Sequence, residues 1–242
     1  MKEKPVISIW KDQEDACIAA AHYFVSHCRE SIAAHGRCIV SLSGGQTPKK
    51  LYEILATEKF SRNIPWKNIY LIWGDERFVP HTDKDSNFKM TKESLLDKIQ
   101  IPSDNVMAVP ILVDAKHSAR EYEKQLRHLW KKEKPRIDLL LLGMGNDGHT
   151  ASLFPGTSVL KEKKKWVREV WSEEKQNWRI SLTLPLINQS RSILFLVTGG
   201  EKAEMLARVL QPAEGNPLPA QMVKAKKGNL MWMIDEMAAA KI

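Results

Sequence analysis

The chain has 242 residues, 43% of them hydrophobic, and a formal net charge of +8. This composition suffices for a globular core, and the lack of a signal-type segment or of 18 consecutive apolar residues predicts a cytoplasmic protein with no membrane partner. The basic runs lack interleaved aromatic residues and zinc-ligand spacing, so we expect a small anionic substrate rather than nucleic acid. Three cysteines are too few for a disulfide framework, which predicts reduced thiols at Cys17, Cys28 and Cys38.

Strands and helices are predicted to alternate along the chain. Short apolar runs bounded by turn residues predict strands, and apolar residues at helical spacing predict helices. The predicted strands are 6–10, 37–42, 68–73, 106–109, 139–142, 166–171, 178–184, 192–198 and 230–234, and the predicted helices are 13–34, 49–56, 86–99 and 115–130, with two more beginning near 201 and 218. The sequence contains no repeat and no linker. We therefore predict an α/β fold, with a single domain over residues 1–242 and a doubly wound, mostly parallel sheet.

A first glycine turn, residues 43–47, follows the second predicted strand and contains Ser43, Gly44, Gly45 and Thr47. A helix comes next, so the turn presents unpaired backbone N–H groups and the positive end of a helix dipole. Such a helix start binds anions, and two glycines with two hydroxyls favour a phosphate site. The alternative is an ordinary capped turn in which Thr47 is the N-cap and Pro48 the first helical residue.

A second glycine turn, residues 143–149, follows a buried run of four leucines and contains Asp147 and His149. Its glycines fit the dinucleotide-binding pattern G-x-G-x-x-G, but Pro155 and Gly156 interrupt the long helix that this pattern requires. A carboxylate beside an imidazole in a flexible turn instead favours proton transfer by the histidine. The alternative is a core histidine whose hydrogen bonds are satisfied.

Further charged residues lie near the ends of other predicted strands. Asp75 and Arg77 follow the third strand, Arg179 opens the seventh, and Lys202 follows the eighth. Arg77 can bind a phosphate or carboxylate through its guanidinium, and Asp75 can either act on a proton or hold Arg77. Because open α/β sheets bind ligands at the carboxyl ends of their strands, we expect Asp75, Arg77 and Lys202 to share one site with the glycine turns.

The chain resembles the 6-phosphogluconolactonase family, the lactonase branch of the glucosamine/galactosamine-6-phosphate isomerase superfamily. The shared motifs occur in the family's order and span nearly the whole chain: SGGQTP at 43–48, WGDERFVP at 73–80, DSN at 85–87, GMGNDGHTASLFPG at 143–156, RISLT at 179–183, TGGEK at 198–202 and LPAQ at 218–221. The resemblance implies hydrolysis of 6-phospho-D-glucono-1,5-lactone to 6-phospho-D-gluconate, the second step of the oxidative pentose phosphate pathway. It also implies a Rossmann-like fold shared with glucosamine-6-phosphate deaminase, and no metal or organic cofactor.

The same resemblance implies roles for the residues described above. His149 would be the general base that activates water, Asp147 would support its imidazole, and backbone N–H groups of the glycine turns would hold the oxyanion. Asp75 and Arg77 would act in catalysis or in binding, and the sequence leaves open which. The oligomeric state is also left open, with a monomer as the expectation. The phosphate would be bound by Ser43, Gly44, Gly45, Thr47, Arg179 and Lys202.

Two other functions are weighed against the lactonase. The deaminase/isomerase branch carries a glutamate for ring opening where this chain has Phe154, and phenylalanine cannot transfer a proton. A non-catalytic sugar-phosphate sensor would keep the phosphate-binding residues but would not need Asp147 and His149. The sequence therefore favours the lactonase.

Overall fold

The structure is a computed structural model that describes residues 5–131, 133–213 and 215–242. Over these residues it contains ten strands, which are β1 (Val6–Trp10), β2 (Cys38–Leu42), β3 (Ile69–Trp73), β4 (Asp75–Arg77), β5 (Val106–Met107), β6 (Leu139–Leu142), β7 (Val167–Ser172), β8 (Asn177–Leu182), β9 (Ser192–Val197) and β10 (Asn229–Asp235). The α-helices in the same ranges are α1 (Gln13–His35), α2 (Gln46–Leu55), α3 (Glu58–Ser61), α4 (Asn87–Ser94), α5 (Ala115–Trp130), α6 (Leu184–Ile187), α7 (Ala203–Leu210), α8 (Pro219–Met222) and α9 (Glu236–Ala239). The predicted alternation of strands and helices is confirmed.

Seven of the described strands form one parallel sheet in the order β1-β10-β9-β6-β2-β3-β5. From β2 the chain moves outward through β3 to β5. It then returns to β6, on the other side of β2, and moves outward through β9 to β10. This reversal is that of a doubly wound sheet, and it confirms the predicted fold class. Because the two glycine turns follow β2 and β6, they lie side by side at the switch point, where such sheets bind ligands.

Capping residues explain why the long helices begin and end where they do. The Asp12 side chain accepts a hydrogen bond from the backbone N–H of Asp15 at the start of α1, which ends at Gly36 in a left-handed conformation (φ 82°). The Asp114 side chain caps α5 in the same way by accepting from the N–H of His117.

The central strands β2, β6 and β9 are buried along their whole length. The site is therefore built on a rigid sheet.

A second, antiparallel sheet is formed by β4, β8 and β7 in that order. The sequence does not indicate β4, because all three of its residues are charged. Glu76, in the middle of β4, is buried. Its carboxylate tolerates burial because it accepts three hydrogen bonds of 2.7 Å, from the backbone N–H groups of Arg77, Asn87 and Phe88. Burial nevertheless raises the pKa of Glu76, against the effect of these bonds. The buried carboxylate thus joins β4 to the start of α4.

Several other boundaries also differ from the prediction. Helix α2 begins at Gln46 rather than at residue 49, because Gly45 takes a left-handed φ of 112° and is the N-cap. Thr47 and Pro48 therefore lie inside the helix, so the interpretation with Thr47 as the N-cap is wrong. Helix α4 ends at Ser94, before a short 3-10 turn, instead of continuing to residue 99. Strand β5 is also shorter than predicted.

The three cysteines are buried free thiols, as the sequence predicts. Burial raises the pKa of Cys17 to about 12, so its thiol is protonated at neutral pH and is not a nucleophile. In the part of the chain that the structure describes, no helix is long and apolar enough to cross a membrane.

Candidate active site

A buried tyrosine fixes the first glycine turn. The hydroxyl of Tyr52 donates to the carbonyl of Ser43 (2.8 Å) and accepts from its backbone N–H (2.9 Å). Burial raises the pKa of Tyr52, so this hydroxyl remains a donor. The hydroxyl of Thr47 lies 2.8 Å from that of Thr198, just beyond β9. The turn is thereby tied to the sheet, and the N–H groups of the first turn of α2, which have no intrahelical partner, are available to an anion.

The second glycine turn pairs an imidazole with a carboxylate. Oδ1 of Asp147 accepts hydrogen bonds from Nδ1 of His149 (2.5 Å) and from its backbone N–H (3.0 Å). A β-carbon on Gly145 would lie 2.1 Å from Nδ1, so a glycine is needed there to leave room for the ring. Gly148 has φ 79°, a conformation that favours glycine. The glycines therefore bring two side chains together instead of cradling a pyrophosphate.

The hydrogen bonds of this pair set its charge and its tautomer. Burial alone would raise the pKa of Asp147, but hydrogen bonds from the ring and backbone of His149 outweigh it and lower that pKa below its ordinary value. The carboxylate is thus ionised near neutral pH. Because a carboxylate can only accept, Nδ1 carries the proton in neutral His149 and Nε2 is the basic nitrogen. The His149 side chain is 29% exposed, so it is not the core histidine of the alternative interpretation.

Two arginines face each other across the antiparallel pair β4–β8. Arg77 and Arg179 are opposite in register, so their side chains lie on the same face of the small sheet. Arg179 is 8% exposed and donates from Nε to Oδ1 of Asn177 (2.9 Å), while Arg77 donates from Nη1 to the carbonyl of Asp85 (2.5 Å). Neither guanidinium forms an ion pair with a carboxylate of the described residues. Burial lowers the pKa of Arg179; the carboxylate of Asp75 opposes this shift, and the charge of Arg77 adds to it. The pair is therefore a partly buried positive charge without a direct ion pair among the described residues.

Asp75 does not form an ion pair with Arg77, contrary to one of the two interpretations of its role. Its Oδ2 accepts a hydrogen bond from the hydroxyl of Ser152 (2.6 Å), and its backbone carbonyl accepts one from Nδ2 of Asn87 (2.9 Å). Sequence reasoning gives no role to Ser152 or Asn87, although both lie in motifs shared with the family. The contact between Asp75 and Ser152 spans 77 positions, and no spacing rule connects residues so far apart.

One cavity of about 420 Å³ brings the predicted site residues together. Asp147 is not on its wall but touches His149, which is. Lys202 lies in a 3-10 turn before α7, and its Nζ donates to Oδ1 of Asn146 (2.6 Å). The other predicted residues on the wall are Ser43, Gly44, Gly45, Thr47, Asp75, Arg77 and Arg179.

The wall also includes residues that the sequence did not indicate. Glu174 and Lys175, at the tip of the β7–β8 hairpin, line the cavity. The ring of Phe154 lies 4.7 Å from that of His149, centroid to centroid, at an angle of 52°. The imidazole is therefore held between a carboxylate and an aromatic ring.

Neither a metal centre nor a dinucleotide fingerprint emerges from the described residues. They contain no group of three or more His, Cys, Asp or Glu side chains arranged to hold a metal ion. The second glycine turn is followed by a tight turn with a bridge between Thr150 and Leu153, not by the long helix that dinucleotide binding requires.

The fold and the cavity together define an α/β protein with a histidine–aspartate pair and a cationic wall at the switch point of a parallel sheet. Residues 11–232 match the family model described as glucosamine-6-phosphate isomerases/6-phosphogluconolactonase. The chain belongs to this family, and the resemblance carried by the motifs is confirmed.

Similar proteins share both the sequence and the fold. The chain is 36% identical to a 6-phosphogluconolactonase of a Nostoc species over 99% of both chains, and 38% identical to that of a Synechocystis species over 88% of both. The solved structure of 6-phosphogluconolactonase from Trypanosoma brucei has a TM-score of 0.88 at 29% identity and covers 99% of both chains. A monomeric glucosamine-6-phosphate deaminase has a TM-score of 0.83 at 20% identity, covering 98% of this chain and all of the deaminase. This last likeness concerns the fold alone.

Proposed function

We propose that the protein hydrolyses 6-phospho-D-glucono-1,5-lactone to 6-phospho-D-gluconate. The observation that carries the proposal is that His149, oriented by Asp147, lines the same cavity as Arg77 and Arg179. Among the described residues, neither of these guanidiniums forms an ion pair with a carboxylate. The substrate has an ester carbon at one end and a phosphate at the other. A base and a cationic wall in one cavity match these two ends, and the names of the relatives support the same reaction.

The phosphate is proposed to bind where the first glycine turn meets the small sheet. The start of α2 supplies backbone N–H groups and the positive end of a ten-residue helix. Arg77 lies opposite Arg179, which favours phosphate binding over contact with the lactone for this residue. Binding at the phosphate would orient the remote reacting carbon, which is how distant contacts contribute to rate. The proposed phosphate ligands are Ser43, Gly44, Gly45, Thr47, Arg77, Arg179 and Lys202.

The chemical step is proposed to be general-base hydrolysis. Nε2 of neutral His149 takes a proton from water as the water oxygen attacks C1, and backbone N–H groups of the glycine turns stabilise the resulting oxyanion. When the tetrahedral intermediate collapses, the bond between C1 and the ring oxygen breaks, and the imidazolium returns its proton to that oxygen. One water is consumed, and the new carboxylic acid releases a proton to solvent. Asp147 stabilises the imidazolium, and Asp75, held by Ser152, contacts the lactone.

The two alternatives explain the cavity less well. Phe154 packs on His149 and supplies no proton, so the acid–base group that ring opening needs in the deaminase branch is missing at that position. A sugar-phosphate sensor gives no reason for a carboxylate that fixes the imidazole tautomer. Neither alternative is favoured by a specific contact.

The test is to add wild-type protein to lactone freshly generated by enzymatic oxidation of glucose 6-phosphate, and to follow acid release. Our proposal predicts release well above the spontaneous rate and no ammonia from glucosamine 6-phosphate. His117→Ala is a matched control for His149→Ala. His117 also pairs with an aspartate, Asp114 (2.8 Å), but it lies on α5 outside the cavity. The His117→Ala protein should therefore keep the wild-type rate. Acid release at the spontaneous rate, or release of ammonia, would overturn the proposal.

We also propose that the chain is a single-domain monomer of the cytoplasm. Buried residues of both sheets belong to one hydrophobic cluster, and both sheets contribute to the cavity wall, so neither forms the site alone. Buried reduced cysteines fit a reducing compartment. One cooperative unfolding transition and a light-scattering mass near 27.6 kDa are expected, whereas two transitions or twice that mass would contradict the proposal.

A further inference from the structure

Asn87 lies between the first glycine turn and β4, and the proposed chemistry gives it no role. It is the first residue of α4, it lines the cavity, and it is 1% exposed. Its backbone N–H donates to Oε1 of Glu76 (2.7 Å), and its side-chain Nδ2 donates to the carbonyl of Asp75 (2.9 Å). Because a carbonyl oxygen can only accept, the second bond fixes the carboxamide with Oδ1 turned away from β4.

The Oδ1 end of this carboxamide lies against Gly44 in the first glycine turn. A β-carbon added to Gly44 would lie 1.9 Å from Oδ1, 2.4 Å from Cγ and 2.7 Å from Nδ2 of Asn87. Gly44 does not have a left-handed φ, so the space that Asn87 occupies is the reason that only glycine fits there. Oδ1 is buried and has no hydrogen-bond partner among the described residues. Since such an acceptor lowers stability, stability does not explain the contact.

We propose that Asn87 is a positioning residue that holds the first glycine turn in place relative to Asp75 and Arg77. The turn belongs to the parallel sheet, whereas Asp75 and Arg77 belong to the antiparallel sheet. An anion bound by both sheets depends on their spacing. Asn87 sets this spacing because the nitrogen end of its carboxamide is hydrogen-bonded to β4. The oxygen end occupies the space that a side chain at position 44 would need. This inference rests on the proposed function for the assignment of the phosphate to the turn and the arginines.

Loss of the carboxamide should therefore weaken anion binding more than it slows the chemistry. A hydrogen bond to a charged group is worth about 10-fold or more in affinity, and the turn is one of several phosphate contacts, so we expect Asn87→Ala to lose about 10-fold in affinity for inorganic phosphate. The KM for the lactone should rise by a similar factor, with kcat reduced by less than about threefold.

The experiment is titration calorimetry of ligand-free protein with inorganic phosphate, beside lactone kinetics. Ser94→Ala is the matched control, because Ser94 lies on the same helix, is 2% exposed and donates its hydroxyl to the carbonyl of Met90 (2.7 Å) without lining the cavity. This control should lose stability but keep the wild-type affinity for phosphate. Equal phosphate affinity in Asn87→Ala and wild type, or no phosphate binding by either, would overturn the proposal.

A size exchange, in which the side chain at position 44 is enlarged and the side chain at position 87 is shortened, separates positioning from a general loss of stability. Gly44→Ala places a methyl group where the carboxamide lies, so it should weaken phosphate binding about as much as Asn87→Ala does. In the double variant, which carries both Gly44→Ala and Asn87→Ala, the methyl group occupies the space left by the carboxamide. Phosphate should therefore bind more tightly to the double variant than to Gly44→Ala alone. Simple addition of the two losses would contradict a direct contact.

The outcomes also distinguish this inference from the proposed function. A wild-type protein that binds phosphate, follows the size-exchange pattern and does not hydrolyse the lactone would refute the function and leave the role of Asn87 standing. A wild-type protein that hydrolyses the lactone while Asn87→Ala behaves like Ser94→Ala would refute only the role of Asn87.

Discussion

Replacing Arg179 with methionine is expected to abolish most anion binding without destabilising the ligand-free protein. Arg179 is 8% exposed, and its guanidinium has no carboxylate partner among the described residues and lies opposite Arg77. Opposite residues in antiparallel strands are about 5 Å apart at Cβ, and two like charges about 7 Å apart at an effective dielectric of about 20 repel by roughly 2 kcal/mol. Methionine keeps the apolar stem and removes this repulsion. The lost hydrogen bond to Asn177, at about 1 kcal/mol, and the lost attraction to Asp75 offset this gain, so the unfolding free energy should stay within about 1 kcal/mol of the wild-type value.

Thermal unfolding with and without inorganic phosphate measures both effects. A ligand at 100 times its Kd adds about 2.7 kcal/mol to the unfolding free energy, which for a chain of this size raises Tm by about 5–11 °C. Sodium chloride at the same ionic strength controls for screening. Arg179→Met should keep the ligand-free Tm within about 4 °C of the wild-type value and lose more than half of the rise caused by phosphate.

Arg168→Met is the matched control for this experiment. Arg168 lies on β7 of the same small sheet but is paired with Glu162 (2.8 Å) and Glu169 (3.5 Å). The Arg168→Met substitution should therefore lower the ligand-free Tm and leave the rise of Tm with phosphate unchanged. A ligand-free Arg179→Met protein several degrees less stable than wild type would refute the argument from unpaired charge. An undiminished rise with phosphate in Arg179→Met would place the anion elsewhere.

Three further predictions concern the glycine turns. Gly145→Ala puts a methyl group 2.1 Å from Nδ1 of His149, so the ring must move, and kcat for the lactone should fall about 100-fold with little change in Tm. Because hydrogen bonds from His149 lower the pKa of Asp147, the stability that Asp147 contributes is present above its ordinary pKa of 3.8 and is lost as the pH falls through the lower folded value. Chemical denaturation of wild type and Asp147→Asn should thus give unfolding free energies that differ at about pH 6 and converge as the pH is lowered below 3.8. Tyr52→Phe removes both hydrogen bonds to Ser43, and it should cost about 1–3 kcal/mol in denaturation and weaken phosphate binding in calorimetry.

Each of these predictions has a contrary result. A wild-type kcat in Gly145→Ala would mean that the reaction does not depend on the observed place of the imidazole. A stability difference between wild type and Asp147→Asn that does not shrink at all as the pH falls below 3.8 would contradict a stabilising carboxylate at this position. Unchanged phosphate affinity in Tyr52→Phe would mean that other contacts hold the first glycine turn.

The sequence predicts best those elements whose local chemistry agrees with their burial. Helix α5, Ala115–Trp130, has the predicted limits because the Asp114 cap and the apolar spacing indicate the same boundaries. Strands β6 and β9 are central and buried on both faces, so their apolar runs are clear. The site follows from these strands, because the ends of parallel strands meet at one edge of the sheet. For this reason the cavity brings together His149 and Lys202 from distant parts of the chain, whereas Arg179 reaches it from β8 of the antiparallel sheet.

The sequence predicts poorly those features that depend on contacts between distant segments. Strand β4 is charged throughout, and it is a strand because Glu76 accepts backbone N–H groups from the start of α4 and because β8 pairs with it. The contact between Gly44 and Asn87 joins two motifs without any shared periodicity. Gly44 could be predicted to allow a close approach, but only the tertiary structure identifies the carboxamide of Asn87 as the group that approaches.

The most direct test of the central claim is to measure kcat for the lactone and Kd for inorganic phosphate in the same preparation of His149→Ala. The claim is that the base and the phosphate contacts are separate groups in one cavity. It predicts that kcat falls by about 10²–10⁴ while Kd stays within about twofold of the wild-type value. A wild-type kcat, or a loss of phosphate affinity as large as the loss of rate, would contradict it.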